Sequence, residues 1–152
     1  PSYEGLTHRR AMFFTGEGLL VIADQISRPA AGHVGVHFNL CPGRIEYVRD
    51  GTVRTLFADG NNIRIKTSAT VPVQIREEEG WVSTAYRKKE ERPAYAVEAP
   101  KTELLFITVI APDEAPFQGS IAIVPQKAPV GDTFRFAVRV GAKTYDLGYE
   151  LK

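Results

Sequence analysis

In Thr133-Phe134-Arg135-Phe136-Ala137-Val138-Arg139-Val140, an extended chain places Phe134, Phe136, Val138 and Val140 on one side and Arg135 and Arg139 on the other. A two-residue turn at Gly141-Ala142 then sets Val138 opposite Tyr145, Phe136 opposite Leu147 and Phe134 opposite Tyr149. One face is dry and the other wet. The pair is therefore half of a sandwich core.

The same grammar recurs along the chain. Strand-like segments fall at 8–15, 18–27, 33–40, 44–49, 52–58, 62–69, 72–77, 81–87, 94–98, 102–111, 119–125, 133–140 and 143–150, punctuated by Gly, Pro, Asn and Asp. Close spacing of this kind predicts an all-β fold, an antiparallel β-sandwich of about 12 strands. No convincing helical period extends over ten or more residues. Asp50-Gly51 lies between two such segments, and an Asp-Gly pair is a strong hairpin signal because both positions of its turn favour positive φ. The charge run from Arg87 to Arg92, with Glu77-Glu78-Glu79 upstream, reads as a solvated loop or edge.

At 152 residues the chain fits one domain, and residues 1–152 are expected to form a single sandwich. Its net charge of +1, with both signs interspersed, leaves no electrostatic footprint for nucleic acid or an anionic membrane. No apolar run approaches the ~20 residues that span a bilayer. Pro1-Ser2-Tyr3-Glu4 opens directly on strand-like sequence, so no leader is expected and the chain reads as cut from something longer. The lone Cys41 has no internal partner and reads as a small core or turn residue beside Pro42.

The first hairpin carries the most chemistry. With Thr15-Gly16-Glu17-Gly18 as its turn, Phe13 faces Leu20, Ala11 faces Ile22 and Arg9 faces Asp24. Asp24 follows the apolar run Leu19-Leu20-Val21-Ile22-Ala23, so its carboxylate is expected where water is scarce, and Arg9 is the expected partner in a structural ion pair. His8, Asp24 and His37 are metal-ligating residue types. In this register, however, His8 and Asp24 lie on opposite faces, and no metal site is expected. His37 and Asn39 alternate onto one face of the third strand, which suits a hydrogen-bonded structural role.

The catalytic signatures are missing: there is no Gly-x-Ser-x-Gly, no phosphate-cradling glycine loop, no cofactor motif and no carboxylate pair to single out. A sandwich most often spends a lone Trp in its core. The alternative is a binding platform, with Trp81 and Tyr86 stacking on a sugar and Arg87 and Lys88 gripping anionic groups.

Three segments in order, Tyr3-Glu4-Gly5-Leu6-Thr7-His8-Arg9-Arg10, Leu19 to Ile26 ending its apolar run in Asp24, and His33 to Gly43, resemble the heparinase II/III-like polysaccharide lyases. The likeness lies in the late part of that family's C-terminal β-sandwich region. Gly80-Trp81-Val82-Ser83 with Tyr86, and Phe106 to Pro112, are similar to the segments that follow there. Asn39 stands where the family pattern has His.

The resemblance implies a super-sandwich attached to an N-terminal helical toroid, with acidic polysaccharide held between them and cleaved by β-elimination. It also implies a periplasmic or secreted setting. The family's catalytic and metal-binding residues precede the stretch matched here, so the resemblance implies no catalytic residue, metal or cofactor within this chain.

Overall fold

The computed structural model describes residues 6–27, 32–100, 103–125 and 133–150. Twelve strands run in chain order: β1 Thr7–Phe14, β2 Leu20–Ser27, β3 Val34–Asn39, β4 Arg44–Tyr47, β5 Thr52–Leu56, β6 Ile63–Ala69, β7 Gln74–Ala85, β8 Lys88–Ala99, β9 Leu104–Pro112, β10 Ile121–Pro125, β11 Thr133–Val140 and β12 Lys143–Glu150. They form a six-stranded sheet ordered β1-β2-β9-β6-β5-β4 and two three-stranded sheets, β10-β11-β12 and β3-β8-β7. Every pairing is antiparallel.

The large sheet is the middle layer. Successive side chains of a strand leave on opposite faces, so β2 sends Val21 and Ala23 one way and Asp24 and Ile26 the other. Its neighbour β9 likewise divides Ile107, Val109 and Ala111 from Leu104 and Phe106. The first set packs with Phe136, Val138 and Val140 of β11 and Ile121 of β10. On the opposite face, Ile26, Leu104 and Phe106 pack with Ala99 of β8, and Val34 and Val36 of β3 lie against them. Further along, Val53 of β5 joins Tyr95 and Val97 of β8. Strands covered on both faces read as continuous apolar runs, which is why Leu19 to Ala23 and Leu104 to Ala111 lack alternation.

The β11–β12 hairpin has the register its sequence predicts, with Phe134 opposite Tyr149, Phe136 opposite Leu147 and Val138 opposite Tyr145. Phe134 and Tyr149 stack at 4.9 Å between ring centroids. Arg135 and Arg139 are exposed on the outer face.

Two other hairpins close differently from expectation, and for one physical reason. In the first, Thr15 and Leu19 pair through the bond from Thr15 N–H to the Leu19 carbonyl at 2.9 Å, and Gly18 N–H returns to the Thr15 carbonyl at 3.0 Å. The loop thus holds one residue more than a two-residue turn, and Gly18 takes the positive φ of 96° that this arrangement needs. The Asp50-Gly51 turn repeats the design: Gly51 N–H bonds the Val48 carbonyl, Val48 N–H bonds the Thr52 carbonyl, and only Gly51, at φ 81°, has left-handed geometry. In the first hairpin the extra residue moves the register by one, which carries side chains to the other face. Phe13 stands opposite Val21, Ala11 opposite Ala23, and Arg9 opposite Gln25.

Of the two readings of the charge run, a solvated loop or an edge, the structure has the edge. Segments 72–77 and 81–87 merge into β7, and residues 88–92 begin β8, so the charges lie on a paired ribbon. Cys41 is exposed in the β3–β4 connection, a turn residue and not a core one.

Phe136 is 1% exposed between β11 and the middle layer. Replacing it by Ala removes a buried ring and leaves a cavity, and urea unfolding is expected to show a loss of about 3–5 kcal/mol. An unchanged midpoint would contradict this packing.

Candidate functional site

Two surface regions bring charged or aromatic side chains together. The first is the far end of the β7–β8 ribbon. Strand β3 pairs with β8 over Ala94–Ala99 and Leu40 N–H bonds the Pro93 carbonyl at 3.0 Å, so from Arg92 to the turn the ribbon has only its own two strands among the described residues. Trp81 is 47% exposed there and Tyr86 88%. Lys89 Nζ stands 4.0 Å from the Trp81 ring centroid and Arg87 Cζ 5.2 Å from that of Tyr86, so each ring carries a cation. Arg87 has a φ of 61°, unusual for a residue with a side chain. A bulge between Val82 and Ala85, where Ser83 Oγ donates to the Ala85 carbonyl at 2.9 Å, shapes the approach to the turn.

Trp81 is therefore outside the core, and Trp81, Tyr86, Arg87 and Lys88 share the end of one arm. Lys89 was not singled out from sequence, because its placement beside Trp81 depends on residues 88–92 being a strand.

The second region surrounds Asp24. The sequence assigned Arg9 as its partner, but the one-residue longer loop turns Arg9 to the opposite face and brings Arg10 and His8 to the acid. Arg10 grips both carboxylate oxygens, Nε to Oδ1 at 2.6 Å and Nη2 to Oδ2 at 3.1 Å. His8 Nε2 lies 2.6 Å from Oδ1. The carboxylate is 2% exposed, whereas the His8 and Arg10 side chains are half exposed. The hydrogen bond to Asp24 holds the Arg10 guanidinium above its ordinary pKa. The apolar run from Leu19 to Ala23 did identify the buried acid; the loop length that chooses its partner was the missing quantity.

His8, Arg10 and Asp24 form one wall of a cleft of about 390 Å³ whose other wall is Val36 and His37 of β3, with Phe106 also lining it. His8 and Asp24 thus share a face, contrary to the register from which a metal set was dismissed. Even so, no group of three His, Cys, Asp or Glu side chains is placed to hold a metal among the described residues.

His37 is engaged elsewhere: its Nδ1 lies 2.9 Å from Glu78 Oε2, in the hydrogen-bonded role its position suggested. Arg76 continues the row, 2.8 Å from Glu78 and 2.7 Å from Glu98. The His37 hydrogen bond holds the Glu78 carboxyl below its ordinary pKa, and the Arg76 hydrogen bond does the same for Glu98.

A further ion cluster had no signature in the sequence. Arg64, with its side chain 10% exposed, has Nε 3.2 Å from Asp113 Oδ1, and Arg54 holds the other oxygen of that acid. Arg64 also donates to the Gly119 carbonyl, tying the β6–β9 region to the segment before β10. Its role is read as structural.

Comparison with known proteins matches this architecture. A family model described as heparinase II/III-like, C-terminal, matches residues 1–123. The chain is 31% identical to a heparin-sulfate lyase of Bacteroides stercoris, over 99% of this chain and 24% of that protein. It is 32% identical to a heparin-sulfate lyase of Pedobacter heparinus, over 84% of this chain and 20% of the other. Among solved structures, a heparinase III gene product superposes with a TM-score of 0.87 at 31% identity, covering 99% of this chain and 25% of that one. The heparan sulfate lyase of Pedobacter heparinus superposes at 0.85 with 26% identity, covering 100% and 25%. The chain spans about a quarter of the length of the relatives it matches.

The two regions generate separate expectations. Because the buried member of the ion pair is the acid, Arg10→Ala leaves that carboxylate with His8 as its one remaining side-chain partner among the described residues; allowing for this and for the half-exposed guanidinium, the expected loss is about 2 kcal/mol. Arg9→Ala is expected to stay within about 0.5 kcal/mol. Equal losses in chemical denaturation would contradict the observed register. For Glu78, a folded pKa below the unfolded one means that its contribution is present above the ordinary glutamate range and is lost as pH falls through the depressed value. Melting temperature should therefore fall less steeply in acid for Glu78→Gln than for the parent, and identical acid limbs would count against the His37 contact.

Proposed function

The chain belongs to the heparinase II/III-like C-terminal family, and from that premise we propose that residues 1–152 form one β-sandwich domain within a larger polysaccharide lyase. In this reading the domain supports an N-terminal helical catalytic toroid and helps to line the cleft that holds an acidic polysaccharide of the heparan sulfate class. Catalysis by β-elimination belongs to the whole enzyme. The domain by itself has no turnover.

The observation that carries the saccharide contact is the exposure of Trp81 and Tyr86 on one arm, each beside a cation, with Arg87 and Lys88 at the turn. An exposed ring offers a flat apolar surface to a sugar, and the neighbouring cations suit carboxylate and sulfate groups. The same exposure favours a second reading, a carbohydrate-binding module that acts without the toroid.

Incubation of the isolated chain with heparan sulfate is expected to give no rise in ultraviolet absorbance from unsaturated product; turnover would contradict the supporting role. Calorimetric titration with heparan sulfate oligosaccharides separates the two readings. Binding by the isolated chain that weakens about tenfold in Trp81→Ala, a loss of about 1.4 kcal/mol, favours the module. No binding by the isolated chain favours a contact made only within the assembled cleft.

A further inference from the structure

Strands β5 and β6 set two arginines against each other. Arg54 stands directly opposite Arg64, and Thr52 opposite Lys66, so one face of the middle sheet at this end carries three cations. Like charges opposed across a ladder repel, and an acid from just beyond β9 is shared between the two arginines: Asp113 has Oδ1 3.2 Å from Arg64 Nε, and its other oxygen accepts from Arg54 Nε. Arg64 is nevertheless underused. The residue is 8% exposed, yet among the described residues its guanidinium makes one hydrogen bond, from Nη1 to the Gly119 carbonyl; Nε faces Asp113 without one, and the buried Nη2 has no partner. A buried guanidinium ordinarily has its fork of donors filled, so the unpaired N–H groups call for acceptor oxygens.

Arg64 lines a cleft of about 410 Å³ together with Thr52, Arg54 and Asp113, and with Gln118 and Ser120 at an exposed rim. Asp50, the other acid of the lining, lies 3.2 Å from Lys66 and spends its charge there. Three cations thus face two acids, and Asp113 is one carboxylate between two guanidinium groups. Glu46 approaches Arg54 only to 3.8 Å and is half exposed.

We propose that this cleft is an oxyanion site, in which one carboxylate or sulfate group sits between Arg64 and Arg54 and accepts hydrogen bonds from Arg64 Nη2 and the Arg54 guanidinium. A planar fork of donors matches two oxygens of such a group, and the surplus of one positive charge suits a single negative one. Asp113 holds the arginines in place and leaves them one charge short of neutral. Gln118 at the rim is the side chain that moves aside to admit the group. The ligand is either a small free anion or a substituent of an acidic saccharide, and only the second source rests on the lyase reading.

The test titrates the 152-residue chain with sodium acetate and sodium methyl sulfate, at an ionic strength held constant with chloride, while following the arginine side-chain nitrogen resonances. Arg64 should shift saturably with acetate or methyl sulfate and not with chloride. Ser120→Glu, which places an acid at the rim, should abolish the shift. Arg54→Gln removes the surplus charge and should weaken binding about tenfold. Glu46→Gln removes a competing acid and should tighten it about twofold. All three positions are exposed, and slow exchange of the Val109 amide reports that each variant is folded.

No saturable shift of Arg64 with either anion, or a shift that survives both Ser120→Glu and Arg54→Gln, overturns the proposal. A heparan sulfate tetrasaccharide then separates the sources. Displacement of acetate by the tetrasaccharide, lost in Ser120→Glu, assigns the bound group to an acidic saccharide. Acetate binding that the tetrasaccharide does not displace leaves the oxyanion site standing with a free anion as its ligand.

Discussion

The structure depends on β2 and β9 being buried on both faces at once. Each strand contributes alternate residues to two separate cores, so a change in its register would expose apolar side chains to one layer and remove them from the other. The penalty is doubled relative to an ordinary half-buried strand. That constraint fixes the middle sheet, and the two outer layers are positioned by it. It also explains how a carboxylate comes to be buried: Asp24 occupies a β2 position facing the β3-β8-β7 layer, and among the described residues its side-chain partners, Arg10 and His8, come from its neighbour β1.

Seen this way, the Asp24 cluster is a boundary feature. On one side of it the second layer covers the sheet with Val34, Val36 and Ala99; on the other, Met12 and Phe14 face solvent. Arg10 and His8 stand at the transition, each half exposed, with their polar ends joined to the buried acid. Long side chains of this kind place apolar stems over the sheet while keeping their charge near water. The arm formed by β7 and β8 has the opposite character. It extends beyond the packed layers, and its rings are paired with cations instead of with a core.

Much of this was legible in alternation. The β11–β12 pairing followed from a two-residue turn and one face of aromatic and branched residues, and the all-β class followed from the spacing of short segments. The first hairpin was less determinate because Gly16 and Gly18 both suit a turn, and two- and three-residue loops are both common hairpin connections. A slip of one residue there exchanged Arg9 for Arg10 and moved His8 onto the face of Asp24. The β7–β8 arm was hidden for a different reason: a run of charges resembles a loop unless its pairing partner is known, and the Lys89 contact with Trp81 exists only in that pairing. Arg64 and Asp113 are separated widely in the chain, so their contact had no local signal at all.

Native-state hydrogen exchange measured across a denaturant series tests the doubly buried pair most directly. The architecture predicts that amides in the centres of β2 and β9, around Val21 and Val109, exchange only through global unfolding and share one free energy with Phe136 and Val97 from the two outer layers. Exchange of β9 through a smaller local opening, with either outer layer remaining protected, would contradict the claim that one sheet holds both cores together.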